Sequence, residues 1–143
     1  PGYRDSWILT PHPGEAARLL KMTPTQVEAD RFAAVEEVAL RYGGVAVLKG
    51  AGSLIASRID GQVALNTTGN PGMSTGGMGD VLTGVIAALV AQGLPPFAAA
   101  KAGVYLHGLA GDRAAQAGGE RGLLATDLLP FLRQAVNAVS ATA

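Results

Sequence analysis

The 143-residue sequence contains no cysteine and few aromatic residues, which make up 5% of the chain. The absence of cysteine excludes disulfide bonds, thiolate nucleophiles and cysteine-ligated zinc, and it is typical of proteins from a reducing compartment. We therefore expect a cytoplasmic protein.

Neither sign of charge is in excess. Lysine and arginine number 11, as do aspartate and glutamate, so the formal net charge is zero, and charged residues make up only 15% of the chain. This composition offers no basic face for nucleic acid and no polybasic segment for an anionic membrane, so we expect neither partner. Acidic ligands would have to be bound by local groups.

Long hydrophobic runs are absent as well. The longest apolar stretch, residues 81–90, is about half as long as a membrane-spanning helix, and residues 1–20 do not have the layout of a signal peptide. The sequence therefore predicts a soluble chain, and its length is that of one domain at most.

Glycine is abundant, with 20 residues, and it is concentrated in residues 70–84, NPGMSTGGMGDVLTG. Four of these glycines can adopt positive φ angles and expose backbone amides to a ligand: Gly72, Gly76, Gly77 and Gly79. The apolar residues 81–90 predict a buried helix. The glycine loop should thus end at a helix N-terminus, where unpaired amides and the helix dipole favour a phosphate group.

Asp80 lies at the edge of this predicted phosphate site. A carboxylate repels a bound anion, which favours a chemical role, but a first-turn acid can also stabilise its own helix by about 0.3–1 kcal/mol. The stretch is neither a Walker loop, since no Lys-Ser/Thr follows its last glycine, nor the Gly-x-Gly-x-x-Gly of a dinucleotide fold. On these residues alone, both interpretations of Asp80 stay open.

Two further stretches contain candidate ligand contacts. A short strand at residues 6–10 is followed by a helix from Pro13 to Leu20, and His12 lies between two prolines at the carboxyl end of that strand, where ligands gather in open α/β sheets. Residues 45–48 and 54–57 predict strands joined by the turn Lys49-Gly50-Ala51-Gly52-Ser53. A turn histidine without a ligand and a solvated lysine are the simpler interpretations.

The rest of the chain predicts a third hairpin strand and further helices. Asp60-Gly61 indicates the turn into a strand at residues 62–65. A helix capped by Thr23 or Thr25 should run to Tyr42, with a solvated charged face and no function. That face carries Glu28, Asp30, Arg31, Glu36, Glu37 and Arg41.

A helix beginning at residues 95–96 is rich in small residues, and we expect it to pack against residues 81–90. His107 lies inside this helix, and we predict a structural role for it. The last helix is predicted to begin at a Thr126 cap, and its tail, residues 140–143, should be frayed. Its inward side chains would be Leu128, Leu129, Leu132 and Val136.

Three stretches in this order resemble motifs of the nucleotide-dependent NAD(P)H-hydrate dehydratases of the ribokinase-like superfamily. They are residues 10–15 (TPHPGE), 47–53 (VLKGAGS) and 70–84. The resemblance runs from about residue 8 to residue 129, although such a domain is nearly twice as long. It implies that residues 1–143 are the C-terminal portion of one such domain, with an α/β fold that is a three-layer α/β/α ribokinase-like sandwich.

The resemblance also implies an activity, the repair of hydrated NADH or NADPH with ADP or ATP as co-substrate. A phosphoryl group would be transferred to the hydroxyl of the hydrated ring and then expelled as phosphate. Asp80 would be the general base, while the amides of an anion loop, Gly76, Gly77 and Met78, would stabilise the transferred group. Mg²⁺ is expected to bridge the nucleotide phosphates, although no carboxylate cage is visible in the sequence.

Further site residues follow from the same resemblance. His12, Asn70 and Asp80 would contact the hydrated substrate, and the nucleotide-binding residues would be Lys49, Gly50, Ala51, Gly52, Ser53 and Gly79. Met78 departs from the small or hydroxylated residue usual at its position, which we expect to be tolerated because its amide faces the phosphate. The implied partners are small molecules, further copies in a homo-oligomer, and an epimerase domain that is fused or separate.

Two alternatives remain. A sugar or vitamin-precursor kinase of the same superfamily would use the same loop and Asp80 but release a stable phosphorylated product, and the motif at residues 10–15 argues against it. A non-catalytic nucleotide-binding or interaction module is the more distant alternative. Because part of the pocket would lie outside these residues, we expect the isolated chain to be inactive.

Overall fold

A computed structural model describes residues 2–140. The strands are β1 (Ile8–Leu9), β2 (Val45–Leu48), β3 (Ser53–Ser57) and β4 (Gln62–Asn66). The helices are α1 (Pro13–Leu20), α2 (Pro24–Ala29), α3 (Arg31–Tyr42), α4 (Met78–Ala91), α5 (Pro96–Gly118) and α6 (Leu128–Ser140). Short 3₁₀ turns occupy Pro71–Met73 and Ala125–Asp127. From residue 141, the frayed tail predicted for residues 140–143 lies outside the described residues.

The strands form one mixed sheet in the order β1-β2-β3-β4. β1 is parallel to β2, whereas β2, β3 and β4 are successively antiparallel. The parallel pair requires a crossover connection, which α1, α2 and α3 supply. The predicted strand at residues 6–10 shortens to the two residues Ile8 and Leu9, because only these pair with β2.

Alternate side chains of the sheet enter two separate cores, one on each face. Ala46 and Leu48 pack with α1, α2 and α3, whereas Val45 and Val47 pack with α4 and α5. Every residue of β2 is buried, as expected of a strand covered on both faces. The helix–sheet–helix arrangement confirms the predicted three-layer α/β/α class.

The prediction of a single helix that ends at Tyr42 is wrong, because the structure has two helices in this segment, α2 and α3. The Thr23 cap is confirmed by its side chain, which accepts a hydrogen bond from the Gln26 amide at 3.2 Å. The chain then leaves helical geometry at Asp30, with φ −146° and ψ 85°, and the Asp30 carboxylate caps the next helix by accepting from the Ala33 amide at 2.9 Å. Aspartate is a strong N-cap residue, so an acid that also suits an exposed helix surface here begins a new helix.

The predicted orientation of the last helix is partly wrong. Leu128 and Leu132 are buried as expected, but Leu129 and Val136 are about half exposed, and Ala135 is buried instead. Leu128, Leu132 and Ala135 follow the four- and three-residue spacing of one helical face, which places Leu129 and Val136 to the side. The predicted Thr126 cap is also wrong, since the side chain that accepts a hydrogen bond at this turn is that of Asp127, from the Leu124 amide at 2.8 Å.

α4 is longer and less buried than predicted. It begins at Met78, and its buried residues are Met78, Leu82 and Ile86, while Ala87 and Ala88 are exposed. Alanine counts as apolar in the sequence but does not need to be buried. Residues 81–90 therefore look apolar on every side of the helix, and this predicts more burial than the structure shows.

α4 packs against α5 as predicted, through small residues. A side chain on Gly103 would place its Cβ 2.6 Å from Ile86 Cγ1, so the two helices approach more closely than alanine allows. No helix among residues 2–140 is long and apolar enough to cross a membrane.

Candidate active site

A cavity of about 460 Å³ opens beside the N-terminus of α4. Lys49, Gly50, Ala51, Gly52 and Ser53 form one wall, and residues 66–71, 73 and 74 form the other. Its floor consists of Met78, Gly79, Leu82, Val104, His107 and Gly108, from α4 and α5. This volume is within the usual range of small-molecule sites, and the lining combines apolar side chains with a few polar groups.

Two of the three motifs, at residues 47–53 and 70–84, line this cavity, and the motif at residues 10–15 contacts both of them from outside the lining. Lys49 Nζ lies 3.8 Å from Glu15 Oε2, which joins the strand-end turn to α1. The same ammonium lies against Gly79, since a Cβ on Gly79 would be 2.9 Å from it. Thr10 Oγ1 lies 3.3 Å from Thr83 Oγ1, which connects the first motif with the helix of the third.

The N-terminus of α4 is capped by glycine rather than by a side chain. Gly77 has φ 86° and provides no side-chain cap, so the first amides of the helix remain available for an anion. Of the four loop glycines that can adopt a positive φ, Gly77 does so in the structure. Position 72 requires glycine for a steric reason, because a Cβ there would lie 2.5 Å from the carbonyl oxygen of Glu120.

Arg31 stabilises the turn at residues 49–53 through hydrogen bonds to its backbone carbonyls. Its guanidinium donates to the Ala51 carbonyl at 2.7 Å and lies 3.5 Å from the carbonyl oxygens of Leu48 and Lys49. The side chain of Arg31 is only 19% exposed, so the prediction of a solvated surface residue is wrong for this member of the helix face. The sequence holds no signal for the contact, since the partners are up to 20 residues away.

Asn70 lines the cavity, but its side chain is engaged within the protein. Its Nδ2 donates to Asp112 Oδ1 at 3.1 Å, and its Oδ1 accepts from the Gly72 amide at 3.1 Å. Asp112 Oδ2 also accepts from the Gly69 amide at 2.9 Å. Asp112 is thus a support of this wall that sequence reasoning missed, and the substrate contact of Asn70 stays a prediction.

His12 caps α1 and does not line the cavity. Its Nδ1 accepts from the amides of Gly14 and Glu15 at 3.0 and 3.2 Å, while its own amide donates to Glu15 Oε2 at 2.7 Å. The imidazole is half exposed, and its Nε2 lies 3.5 Å from Glu15 Oε1. Nε2 is therefore the ring atom available to a ligand, and the substrate contact predicted for His12 remains a prediction.

The pKa of the Glu15 carboxyl is lowered below its ordinary value. Partial burial by itself raises that pKa, but the His12 amide donates to the carboxylate, and Lys49, His12 and Arg18 add favourable charge. Together these contacts outweigh the burial and favour the ionised form.

Asp80 lies on the exposed side of the first turn of α4, and like Gly76 and Gly77 it does not line the cavity. Its carboxylate is accessible beside the helix N-terminus, so a second ligand outside the cavity could reach it. The catalytic role of Asp80 and the anion-binding role of the loop remain predictions.

The described residues include no group of three or more His, Cys, Asp or Glu side chains placed to hold a metal ion.

Comparison with known proteins identifies relatives of this chain. A family model described as NAD(P)H-hydrate dehydratase matches residues 1–134. The bifunctional NAD(P)H-hydrate repair enzyme Nnr of Coxiella burnetii is 56% identical over 137 residues, which cover 96% of this chain and 28% of that enzyme. The ADP-dependent (S)-NAD(P)H-hydrate dehydratase of Neisseria meningitidis is 48% identical over 134 residues, covering 93% of this chain and 45% of the relative.

Solved structures agree with the fold. The ADP/ATP-dependent NAD(P)H-hydrate dehydratase from Bacillus subtilis, co-crystallised with ATP/Mg²⁺, matches with a TM-score of 0.89 and 33% identity over 96% of this chain and 50% of that one. A ribokinase-like superfamily protein from Enterococcus faecalis matches with a TM-score of 0.79 and 32% identity, over 94% of this chain and 45% of that one. These matches confirm the predicted ribokinase-like fold.

The chain spans between 28% and 50% of the length of these dehydratases and repair enzymes. Nevertheless, the family model covers nearly all of the sequence, and the motifs at residues 10–15, 47–53 and 70–84 contact one another beside one cavity. The chain belongs to the NAD(P)H-hydrate dehydratase family.

Proposed function

We propose that the complete protein is an ADP- or ATP-dependent NAD(P)H-hydrate dehydratase, and that residues 1–143 are the C-terminal portion of its single catalytic domain. The observation that carries this proposal is the cavity in which the Lys49 ammonium and the glycine-capped N-terminus of α4 meet. A cation beside free backbone amides suits a nucleotide phosphate, and family membership supplies the reaction class.

Lys49, Gly50, Ala51, Gly52 and Ser53 would hold the nucleotide with Gly79. Gly79 is required in this proposal because a side chain there would displace the Lys49 ammonium. The bound nucleotide supplies the phosphoryl group that converts the ring hydroxyl into a better leaving group. The amides of Gly76, Gly77 and Met78 would stabilise charge on that group as it moves.

Asp80 would act on the second substrate, the hydrated nicotinamide. Its exposed position outside the cavity supports contact with a ligand other than the nucleotide. The Asp80 carboxylate would take the proton as the hydroxyl oxygen forms its bond to phosphorus and the bond from phosphorus to the nucleotide breaks. The C–O bond of the ring then breaks and phosphate leaves with the bonding electrons. The adjacent ring carbon loses a proton to solvent, and the electrons of that C–H bond form the C=C bond of the repaired ring.

His12 and Asn70 would complete the contacts to the hydrated substrate, His12 through its half-exposed imidazole. ADP is the nucleotide in the name of the Neisseria relative and ATP is present in the Bacillus structure, so we propose an adenine nucleotide for this protein. Mg²⁺ would coordinate the nucleotide phosphates, and the chemistry assigned to these side chains does not depend on it. A homo-oligomer and a linked or separate epimerase are further parts of the proposal.

The test supplies hydrated NADH or NADPH with ADP or ATP to the complete protein. We expect the absorbance of the reduced nicotinamide to recover, with one phosphate released for each ring repaired. A stable phosphorylated product without recovery would identify a kinase instead. Nucleotide binding without turnover would identify a non-catalytic module.

A further inference from the structure

The imidazole of His107 belongs to the cavity lining and has one ring nitrogen without a hydrogen-bond partner in the described part of the chain. The residue lies on α5, is only 8% exposed, and forms part of the cavity floor. Its Nε2 is buried and has no hydrogen-bond partner among the described residues. Buried polar atoms almost always have a partner, so an orphan atom in a cavity lining points to a ligand as that partner.

The other ring nitrogen faces the backbone of Met78. The Met78 backbone interacts with the imidazole, and because Nε2 has no partner among residues 2–140, we assign this interaction to Nδ1. The interaction raises the pKa of His107, as expected of a carbonyl oxygen that accepts from the ring, so we take Nδ1 as the protonated nitrogen. Nε2 consequently carries an unshared lone pair whenever the ring is neutral, on a side chain that belongs to the cavity lining.

The surroundings keep the ring neutral. Burial lowers the pKa of His107 below its ordinary value of 6.5, the Met78 bond opposes this shift in part, and the nearby Lys49 ammonium lowers the pKa further. At neutral pH, Nε2 is therefore a hydrogen-bond acceptor. Phosphate oxygens offer it no proton, so its partner must be a donor on another part of the ligand.

We propose that His107 Nε2 accepts a hydrogen bond from the nucleoside half of the bound nucleotide, either from a ribose hydroxyl or from the exocyclic amine of the base. This inference rests on the proposed nucleotide site. Leu82 and Val104 lie beside His107 in the floor, and such apolar groups suit a sugar and base better than phosphates. Lys49 and Gly79 provide the phosphate end, so His107 sets the orientation and the nucleoside specificity of the ligand.

Two substitutions separate this role from a structural one. Asparagine reaches about as far as Nδ1, so His107→Asn keeps a donor for the Met78 carbonyl and loses the acceptor at Nε2. Glutamine reaches about as far as Nε2, so His107→Gln keeps an acceptor in the cavity and loses the Met78 bond. In the complete protein, we expect His107→Asn to bind ADP about tenfold more weakly at nearly unchanged Tm, and His107→Gln to retain ADP affinity at a lower Tm.

Nucleotide analogues identify the donor. Binding of 2′-deoxy-ADP, 3′-deoxy-ADP and inosine diphosphate by calorimetry should show about tenfold weaker affinity for the analogue that lacks the bonded group, and no further loss for that analogue in His107→Asn. Wild-type affinity for ADP in His107→Asn, or equal wild-type affinity for ADP and all three analogues, would overturn the proposal.

A measurement without substitution covers the case in which His107→Asn does not fold. In protein labelled with ¹⁵N-histidine, the Nε2 resonance of His107 should move upfield when ADP is added and stay in place with the analogue that lacks the donor. An unchanged resonance on ADP saturation would contradict the acceptor role. Wild-type protein that binds neither ADP nor ATP would instead refute the proposed nucleotide site, which makes the two failures distinguishable.

Discussion

The Lys49 ammonium connects parts of the site that are far apart in the sequence. It lies 3.8 Å from the Glu15 carboxylate and against the backbone of Gly79 at the start of α4. An incoming phosphate would compete with Glu15 for this cation, so ligand binding and the ion pair are alternatives for the same charge. Asp80, one residue beyond Gly79, is a second carboxylate near the proposed phosphate position. Substitution of Asp80 alone distinguishes its effect on nucleotide binding from that of Glu15.

Asp80→Asn distinguishes a general base from a helix-start acid. The substitution keeps the shape of the side chain and removes the proton acceptor, so turnover should fall by about 10² to 10⁴ while nucleotide still binds. Loss of a negative charge beside the phosphate would even tighten nucleotide binding. Both the rate and the nucleotide affinity of the complete enzyme are to be measured.

Glu36→Gln is the matched control, because Glu36 is an exposed helix acid away from the lining of the cavity. It should leave turnover unchanged. A near-normal rate in Asp80→Asn, with at most about 1 kcal/mol lost in stability, would mean that Asp80 only stabilises its helix.

Glu15 makes stability depend on pH in a defined window. The pKa of the Glu15 carboxyl is lower in the folded state than its ordinary value of 4.5. The ionised carboxylate therefore contributes fully to the free energy of unfolding above about pH 4.5, and this contribution is lost as the pH falls from about 4.5 through the folded-state pKa. Chemical denaturation from pH 7 to pH 3 should show wild type more stable than Glu15→Gln at neutral pH, with the two converging in acid. A stability difference that is constant over the whole range would contradict the assignment.

At the scale of elements, the site depends on supports that lie outside its lining. Arg31 at the start of α3 binds the carbonyls of the 49–53 turn, and Asp112 on α5 holds the loop at Gly69 and Asn70. Gly108 allows the same loop to contact α5, because a Cβ on Gly108 would overlap Thr68.

Arg31→Lys should loosen the turn without unfolding the protein. Lysine keeps the charge but cannot reach several carbonyls with one planar group, so we expect nucleotide affinity to fall about three- to tenfold with a small loss of Tm. Arg133→Lys, an exchange of the same kind at an exposed position of α6, is the control. Equal affinity in the two variants would show that Arg31 does not position the turn.

Gly108→Ala should push the loop away from α5. The added methyl group meets both the side chain and the backbone of Thr68, so we expect about 1–3 kcal/mol of lost stability and weaker nucleotide binding. Gly118→Ala, on the same helix but with open space around its Cβ, should change stability by no more than about 0.5 kcal/mol. Calorimetric unfolding and ADP titration of both variants decide between the two outcomes.

How far the sequence predicts each feature depends on how local its cause is. Thr23 and the buried strand β2 are read correctly because a cap and an apolar run depend on neighbouring residues. The resemblance assigns Lys49 and Gly79 to one nucleotide site, and the two residues lie next to each other in the lining of one cavity. Arg31 and Asp112 were missed because they contact residues 17 to 43 positions away, and no local pattern reports such partners.

For the whole molecule, the described residues leave the β1 side of the sheet without a neighbouring strand. β1 is an edge strand of two residues, and the neighbouring surface of α4 exposes Thr83, Ala87 and Ala88. The curated relatives and solved structures are at least about twice as long as this chain. Both features fit a proposal in which further chain covers this side and completes the substrate pocket.

The 143-residue chain by itself should therefore show no dehydratase turnover. Assay of the purified chain beside the complete protein, with hydrated NADH and ADP, checks this expectation, and circular dichroism shows whether the chain is folded. Full turnover by the chain alone would mean that the catalytic pocket needs nothing beyond residues 1–143.

The attachment of the cavity wall to α5 has a consequence for the order of folding. Thr68, Gly69 and Asn70 are anchored to Tyr105 and Asp112, which lie 37 to 43 residues later in the chain. Contacts of such sequence separation require a large loop to close before they contribute stability. The sheet and the cap at Thr23 can form from nearby residues, but the ligand cavity exists only once α5 has docked, so in a chain emerging from the ribosome the ability to bind nucleotide would be acquired after most of the sheet.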